Sequence, residues 1–240
     1  MIPFRDTLVV QKTPYVTWGL LLINGLVFGY FQTLSDGEMF ALFQHYGLVP
    51  ARYSNPMWAL ITKTSADNYW PFVLNLFMHS SWMHLIMNMW MLWIFGDDIE
   101  DVMGRMRFLL FYFMCGVGAN LVVYIVASTS PVPVIGASGA LAGILGAYIF
   151  LFPYAKIVVW IPLFFLPIFI EIPAIAFLGV WVIFQLNDAT TTFSSEHATS
   201  LAWVGHLAGF FIGAVIFRLF VNVQQHNHSN NVDNSHFESE

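Results

Sequence analysis

A single cysteine, Cys115, stands among the 240 residues, and it lies inside an apolar run, so no disulfide framework holds this chain. Charge is almost as scarce. Asp, Glu, Lys and Arg together make 9% of the residues, against roughly 25% in soluble domains. The 8 Lys and Arg residues form no basic stripe, which argues against a nucleic-acid surface. The net charge of −6 comes from acidic residues that are scattered or gathered in the tail, and it points to no partner. The opening MIPFRDTLVVQKTPY has no continuous apolar core followed by small residues, so it does not read as a signal peptide. It is also too poor in Arg and Ser for an organelle transit peptide.

What the chain has instead is hydrophobicity: 58% of it is apolar and the mean hydropathy is +0.69. Aromatic residues reach 18%, with 9 Trp and 24 Phe, a composition suited to lipid contact and interfacial belts. The chain reads as an integral membrane protein.

A spanning helix needs about 20 apolar residues. Such helices are expected near 14–33, 71–95, 106–127, 137–152, 171–187 and 200–222. The expected fold is therefore all-α, a polytopic bundle of six transmembrane helices over 14–222. An N-terminal segment 1–13 precedes it, and an outer loop 34–70 follows the first helix. The run 157–170 is interrupted by Pro162 and Pro167 and reads as an apolar, interfacial connection, with a helix starting near Glu171. Under the positive-inside rule, Arg5, Lys12, Arg105, Arg107, Lys156 and Arg218 fall inside and only Arg52 and Lys63 outside. Both termini are then cytoplasmic. The tail 223–240 is polar and aperiodic and is expected to be disordered. Its His226, His228 and His236 are too irregularly spaced to read as a metal site.

Ionisable and polar groups inside the hydrocarbon are costly and usually mark function. Three places break the apolar pattern. The second helix carries His79, His84 and Asn88, the last two a turn apart on one face. The fourth opens with Gly136-Ala137-Ser138-Gly139, and the sixth carries His206. Each alone has an ordinary reading as packing or interhelical hydrogen bonding. Together they complement one another. A serine hydroxyl is a weak nucleophile until a base takes its proton, and histidine is the usual base. Acyl transfer also needs donors aimed at the developing oxyanion, which Asn, His and free backbone N–H groups at a helix start supply. The direction of the helices brings Ser138, His84, Asn88 and His206 to one level below the outer face. Gly205, Gly209 and Gly213 on one helix, and Gly139, Gly143 and Gly146 on another, allow the backbones to approach closely.

These residues resemble the rhomboid intramembrane serine proteases. The likeness runs from about Trp70 to Ile216. It includes FMHSSWMHLIMNMWMLWIFGDDIED, VIGASGALAGILGAY, FPYAKI and AWVGHLAGFFIG, in family order and spacing. The resemblance implies Ser138 as nucleophile and His206 as base. It further implies His84, Asn88 and the backbone N–H of Ser138 as the oxyanion site, with His79, Gly136 and Gly139 in support. Glu100, Gly104 and Arg107 match the turn after the second helix, taken as structural. Where some members place a Tyr four residues after the serine, this chain has Ala142, and the Trp-Arg pair of their first outer loop is not evident.

The reaction implied is hydrolysis of a peptide bond in a single-span membrane protein by a Ser–His dyad. It needs a lipid bilayer and no nucleic acid, metal or organic cofactor. Helix five and the loop 34–70 are the candidate gates. The resemblance also implies a bacterial plasma membrane. A G-x-S-x-G elbow is excluded because Ala140 stands at its second glycine and no βαβ pattern surrounds the serine. No Asp or Glu in an outer half-helix offers itself as a third member of a triad. The alternatives are a catalytically inactive relative that binds membrane proteins for quality control, which would have lost the serine or histidine, and a transporter, which would show inverted repeats.

Overall fold

The computed structural model describes residues 2–163, 166–194 and 201–221; the tail with His226, His228 and His236 lies outside the described residues. The protein is mostly helical. In chain order the described elements are β1 (Ile2–Asp6), α1 (Tyr15–Phe31), α2 (Asp36–Tyr46), α3 (Ala51–Ser54), α4 (Pro56–Ile61), α5 (Pro71–Leu74), α6 (Trp82–Met103), α7 (Arg105–Val126), α8 (Ser138–Leu151), β2 (Lys156–Leu163), β3 (Leu166–Pro173), α9 (Ala174–Ser194) and α10 (Ala202–Ile216). The helices Arg105–Val126 and Ala202–Leu219 are long and apolar enough to cross a bilayer, and Tyr15–Phe31, Ser138–Leu151 and Ala174–Thr190 are apolar but shorter. Large apolar side chains face outward on several of them, among them Leu26, Leu110, Ile125, Ile183, Phe211 and Val215. A soluble surface would not carry such a belt.

The short helix α8 stands at the centre, with Ala140 through Tyr148 buried. It packs on α6, α7, α9 and α10, most extensively on α10. The glycines expected to form a seam do so. A Cβ on Gly209 would lie 2.0 Å from the carbonyl oxygen of Gly139, and one on Gly213 would lie 2.0 Å from that of Gly143. The two backbones are thus in direct contact, and no side chain larger than hydrogen fits between them.

One end of the bundle is organised by Glu100. Its carboxylate accepts from the backbone N–H of Val16 at 3.0 Å and of Thr17 at 2.8 Å, and from the Thr17 hydroxyl at 2.9 Å. It therefore caps α1, where the helix dipole favours an anion. The turn into α7 rests on Gly104 at φ +80°, a conformation that a Cβ would strain. Arg105 lies over the Tyr15 ring, 4.4 Å from its centroid, while Arg107 is exposed.

Four expectations are corrected. The helix expected over 71–95 is two pieces, because Pro71 starts a single turn and Ser81, accepting from the His84 N–H, caps a new helix that continues to Met103. His79 therefore sits in the break and not on a helix face. The run 157–170 is a β-hairpin. Its β-branched and aromatic residues (Ile157, Val158, Val159, Trp160, Ile161, then Ile168, Phe169, Ile170) favour strands, and Pro162 and Pro167, which a helix would not accept, pair across the two strands. β1 adds antiparallel to β2, so the N-terminal segment joins a three-stranded sheet beside the mostly helical bundle. The outer loop 34–70 is largely helical; α2 begins with a capping box between Ser35 and Glu38. Finally, α9 starts at Ala174 and runs to Ser194, beyond the expected 187.

Candidate functional site

A cavity of about 560 Å³ opens above α8. Its wall includes Ser138 and Gly139 from the first turn of α8, Gly136 from the strand-like approach to it, His84 and Asn88 from α6, Trp181 from α9, and Gly205 and His206 from α10. The residues singled out from the sequence therefore meet in one place, His79 excepted. That ring is buried behind the wall, edge-on to His84 with centroids 4.9 Å apart.

Ser138 is the first residue of α8, and its own N–H is among those a helix start leaves without an intrahelical partner. His84 contacts the Ser80 hydroxyl through Nδ1 at 3.3 Å. Its Nε2 points toward Gly136: a Cβ on that glycine would lie 2.6 Å from Nε2 and 3.5 Å from Nδ2 of Asn88. Both nitrogens stand over the backbone two residues before the serine. Nδ2 of Asn88 is buried and has no hydrogen-bond partner among the described residues. A buried unpaired donor costs roughly 1–3 kcal/mol, so its presence calls for an acceptor that arrives from elsewhere.

No hydrogen bond joins Ser138 to His206. The imidazole is held from the other side, where Nδ1–H donates to Oε1 of Gln185 on α9 at 2.7 Å. The Trp181 indole, one turn earlier on α9, lies 6.0 Å from the imidazole at 39°. Ala142 is buried beside Gly209 and leaves the space near the imidazole to these α9 residues.

The approach to Ser138 is fixed by a pair of amides that sequence reading did not single out. Asn75 and Asn120 bond to each other in both directions, at 3.1 and 2.9 Å. Asn75 also donates to the Val134 carbonyl at 3.2 Å, and Asn120 to that of Phe72 at 2.8 Å. The Asn75 carbonyl then accepts from Gly136 N–H at 2.8 Å. The available signal was two amide residues inside apolar stretches, far apart in sequence. Gly136 itself has φ +116°, so a side chain there meets both backbone strain and the His84 ring. Gly136→Ala is expected to destabilise the fold by about 1–3 kcal/mol, read as a lowered thermal midpoint.

A family model described as "Rhomboid domain" matches residues 66–223. Among similar proteins, "Rhomboid protein 1, mitochondrial" of Saccharomyces cerevisiae is 28% identical over 83% of this chain and 51% of its own length. "Presenilin-associated rhomboid-like protein, mitochondrial" of Homo sapiens is 35% identical over 39% of this chain and 26% of its own. "Rhomboid-like protein 11, chloroplastic" of Arabidopsis thaliana is 28% identical over 62% and 51%. The chain thus spans about half or less of the length of these relatives. Their names, mitochondrial and chloroplastic, overturn the expectation of a bacterial plasma membrane with cytoplasmic termini.

Proposed function

The chain belongs to the rhomboid family, and on that premise we propose that it is an intramembrane serine endopeptidase acting on single-span membrane proteins. The observation that carries this reading is the meeting of Ser138, His206 and the unpaired Nδ2 of Asn88 on one cavity. In this reading α1 and α6 to α10 are six crossings, with α9 and the helical segment α2 to α4 as gates. α8 has 14 residues, about 21 Å at 1.5 Å per residue, short of a hydrocarbon core of about 30 Å. Its start therefore sits below the surface, and the cavity above it supplies the water that hydrolysis consumes. The names of the relatives support an organelle membrane as its setting.

The proposed reaction has two halves. Ser138 Oγ attacks the peptide carbonyl carbon while Nε2 of His206 takes its proton. The oxyanion is met by Nδ2 of Asn88, the backbone N–H of Ser138 and His84. Collapse breaks the C–N bond, and the imidazolium returns its proton to the departing amine. Nε2 then takes a proton from water, whose oxygen attacks the acyl group, and the serine is restored as the carboxylic product leaves.

That no side-chain hydrogen bond joins Ser138 to His206 among the described residues is the one observation that favours a non-catalytic, binding relative instead. Catalytic hydrogen bonds are, however, often long in unliganded sites and tighten with substrate. A fluorophosphonate probe separates the two readings. Covalent labelling of the detergent-solubilised wild type, lost in Ser138→Ala and His206→Ala, is expected; labelling that is absent in the wild type or persists in Ser138→Ala overturns the protease.

A further inference from the structure

We propose that Gln185 is the positioning residue for the base: its side-chain carbonyl, carried by α9, holds His206 in the tautomer and orientation that leave Nε2 free for the proton of Ser138. The inference rests on the protease reading above.

A neutral imidazole has one N–H and one lone pair, and which nitrogen carries which is set by the partner of the other. Oε1 of Gln185 can only accept. At 2.7 Å from Nδ1 it therefore requires the proton there and leaves the lone pair on Nε2. Gln185 is itself buried, at 9% exposure, on a helix whose neighbouring residues Ile183, Phe184 and Leu186 are exposed. Burying an amide without a partner costs free energy that an apolar residue would not, so its place on this inner face needs a reason. Trp181 is four residues earlier and shares that face. The two together bracket the imidazole: one sets the proton, the other limits the tilt of the ring. This answers what Ala142 leaves open, since the support that an aromatic ring on α8 would give comes here from α9.

The consequence is a coupling. α9 meets α10 through the stripe that includes Gln185, and it carries both supports of His206. Displacing α9 would release the base from its orientation, so the integrity of this helix contact and the readiness of the dyad are one condition. Among the described residues, the titratable groups acting on His206 are His84 from α6 and Asp188 from α9 itself. Asp188 is exposed, whereas Gln185 makes the direct bond, which assigns the role to Gln185.

The test compares wild type, Gln185→Leu and Gln185→Glu in proteoliposomes with a single-span substrate, from about pH 5 to about pH 9. Gln185→Leu keeps the shape without the acceptor and is expected to lower kcat by about 10- to 100-fold with KM within about twofold. Gln185→Glu restores an acceptor and recovers most of the loss. Because a carboxylate stabilises the imidazolium, the acid limb of its rate profile moves to higher pH, a shift that a packing role would not produce. Unchanged kcat in Gln185→Leu, or no recovery and no displaced limb in Gln185→Glu, overturns the inference, as does an equal loss in Asp188→Asn. An active wild type indifferent to Gln185 sinks this inference alone, whereas a wild type that neither cleaves nor takes the probe sinks the protease reading. Isotope-edited nitrogen NMR of histidine-labelled protein reads the tautomer without activity: Nδ1–H in the wild type and a mixture in Gln185→Leu are expected, and Nε2–H in the wild type overturns it.

Discussion

Replacement of Ser138 by alanine is expected to lower kcat/KM on a single-span substrate by at least about 10³-fold, and His206→Ala by a similar factor. At 1.36 kcal/mol per decade this is about 4 kcal/mol of transition-state stabilisation. The two groups act as one unit, since an alkoxide cannot form at neutral pH without a base, and an imidazole has nothing to deprotonate without the serine. The double variant should therefore be no worse than either single one. Stability separates the two. Ser138→Ala removes one oxygen from a half-buried position and should leave the thermal midpoint nearly unchanged. His206→Ala strands Oε1 of Gln185, a buried acceptor whose loss of partner costs about 1–3 kcal/mol, and should melt lower. Proteolysis that survives in purified Ser138→Ala would remove the serine from the mechanism.

Asn88→Leu is expected to move activity and stability in opposite directions. Loss of one oxyanion donor typically lowers kcat by about 10²- to 10³-fold, and because that contact forms only in the transition state, KM should change little. The same substitution removes a buried nitrogen that has no partner among the described residues and puts an apolar side chain of similar size in its place. The folded state should gain by a fraction of the roughly 1–3 kcal/mol that an unpaired donor costs, seen as a raised thermal midpoint. A variant that is both inactive and less stable would mean that Nδ2 has a structural partner and that Asn88 belongs to the frame. The pattern expected instead, slower but sturdier, is that of a group kept for its chemistry.

The parts of this site that could be read from the sequence are those where a polar residue interrupts an apolar helix. Ser138, His206, His84 and Asn88 stand out because hydrocarbon tolerates them poorly, and their helix spacings place them at one level. The glycine seam was equally legible, since Gly209 and Gly213 recur every four residues and mesh with Gly139 and Gly143 as small residues must. What escaped was long-range pairing. Asn75 and Asn120 are 45 residues apart, and nothing local marks them as partners. Gln185 lies near the expected end of a helix that in fact runs on to Ser194, and nothing local marks it as buried. The hairpin from Lys156 to Pro173 was hidden for a different reason. Its prolines correctly excluded a helix, but an apolar run of this length carries no alternation to reveal strands.

The mounting of the catalytic groups has one further property. Gly136 donates to the main-chain carbonyl of Asn75, whose side chain pairs with Asn120, the proposed oxyanion donor is Asn88, and His206 rests on Gln185. All four are carboxamides, which neither gain nor lose a proton anywhere in the range where imidazole does. These four supports are therefore blind to acidity, unlike the histidines they surround. A loss of rate with pH recorded on this chain would accordingly not arise from a loosening of these four amides.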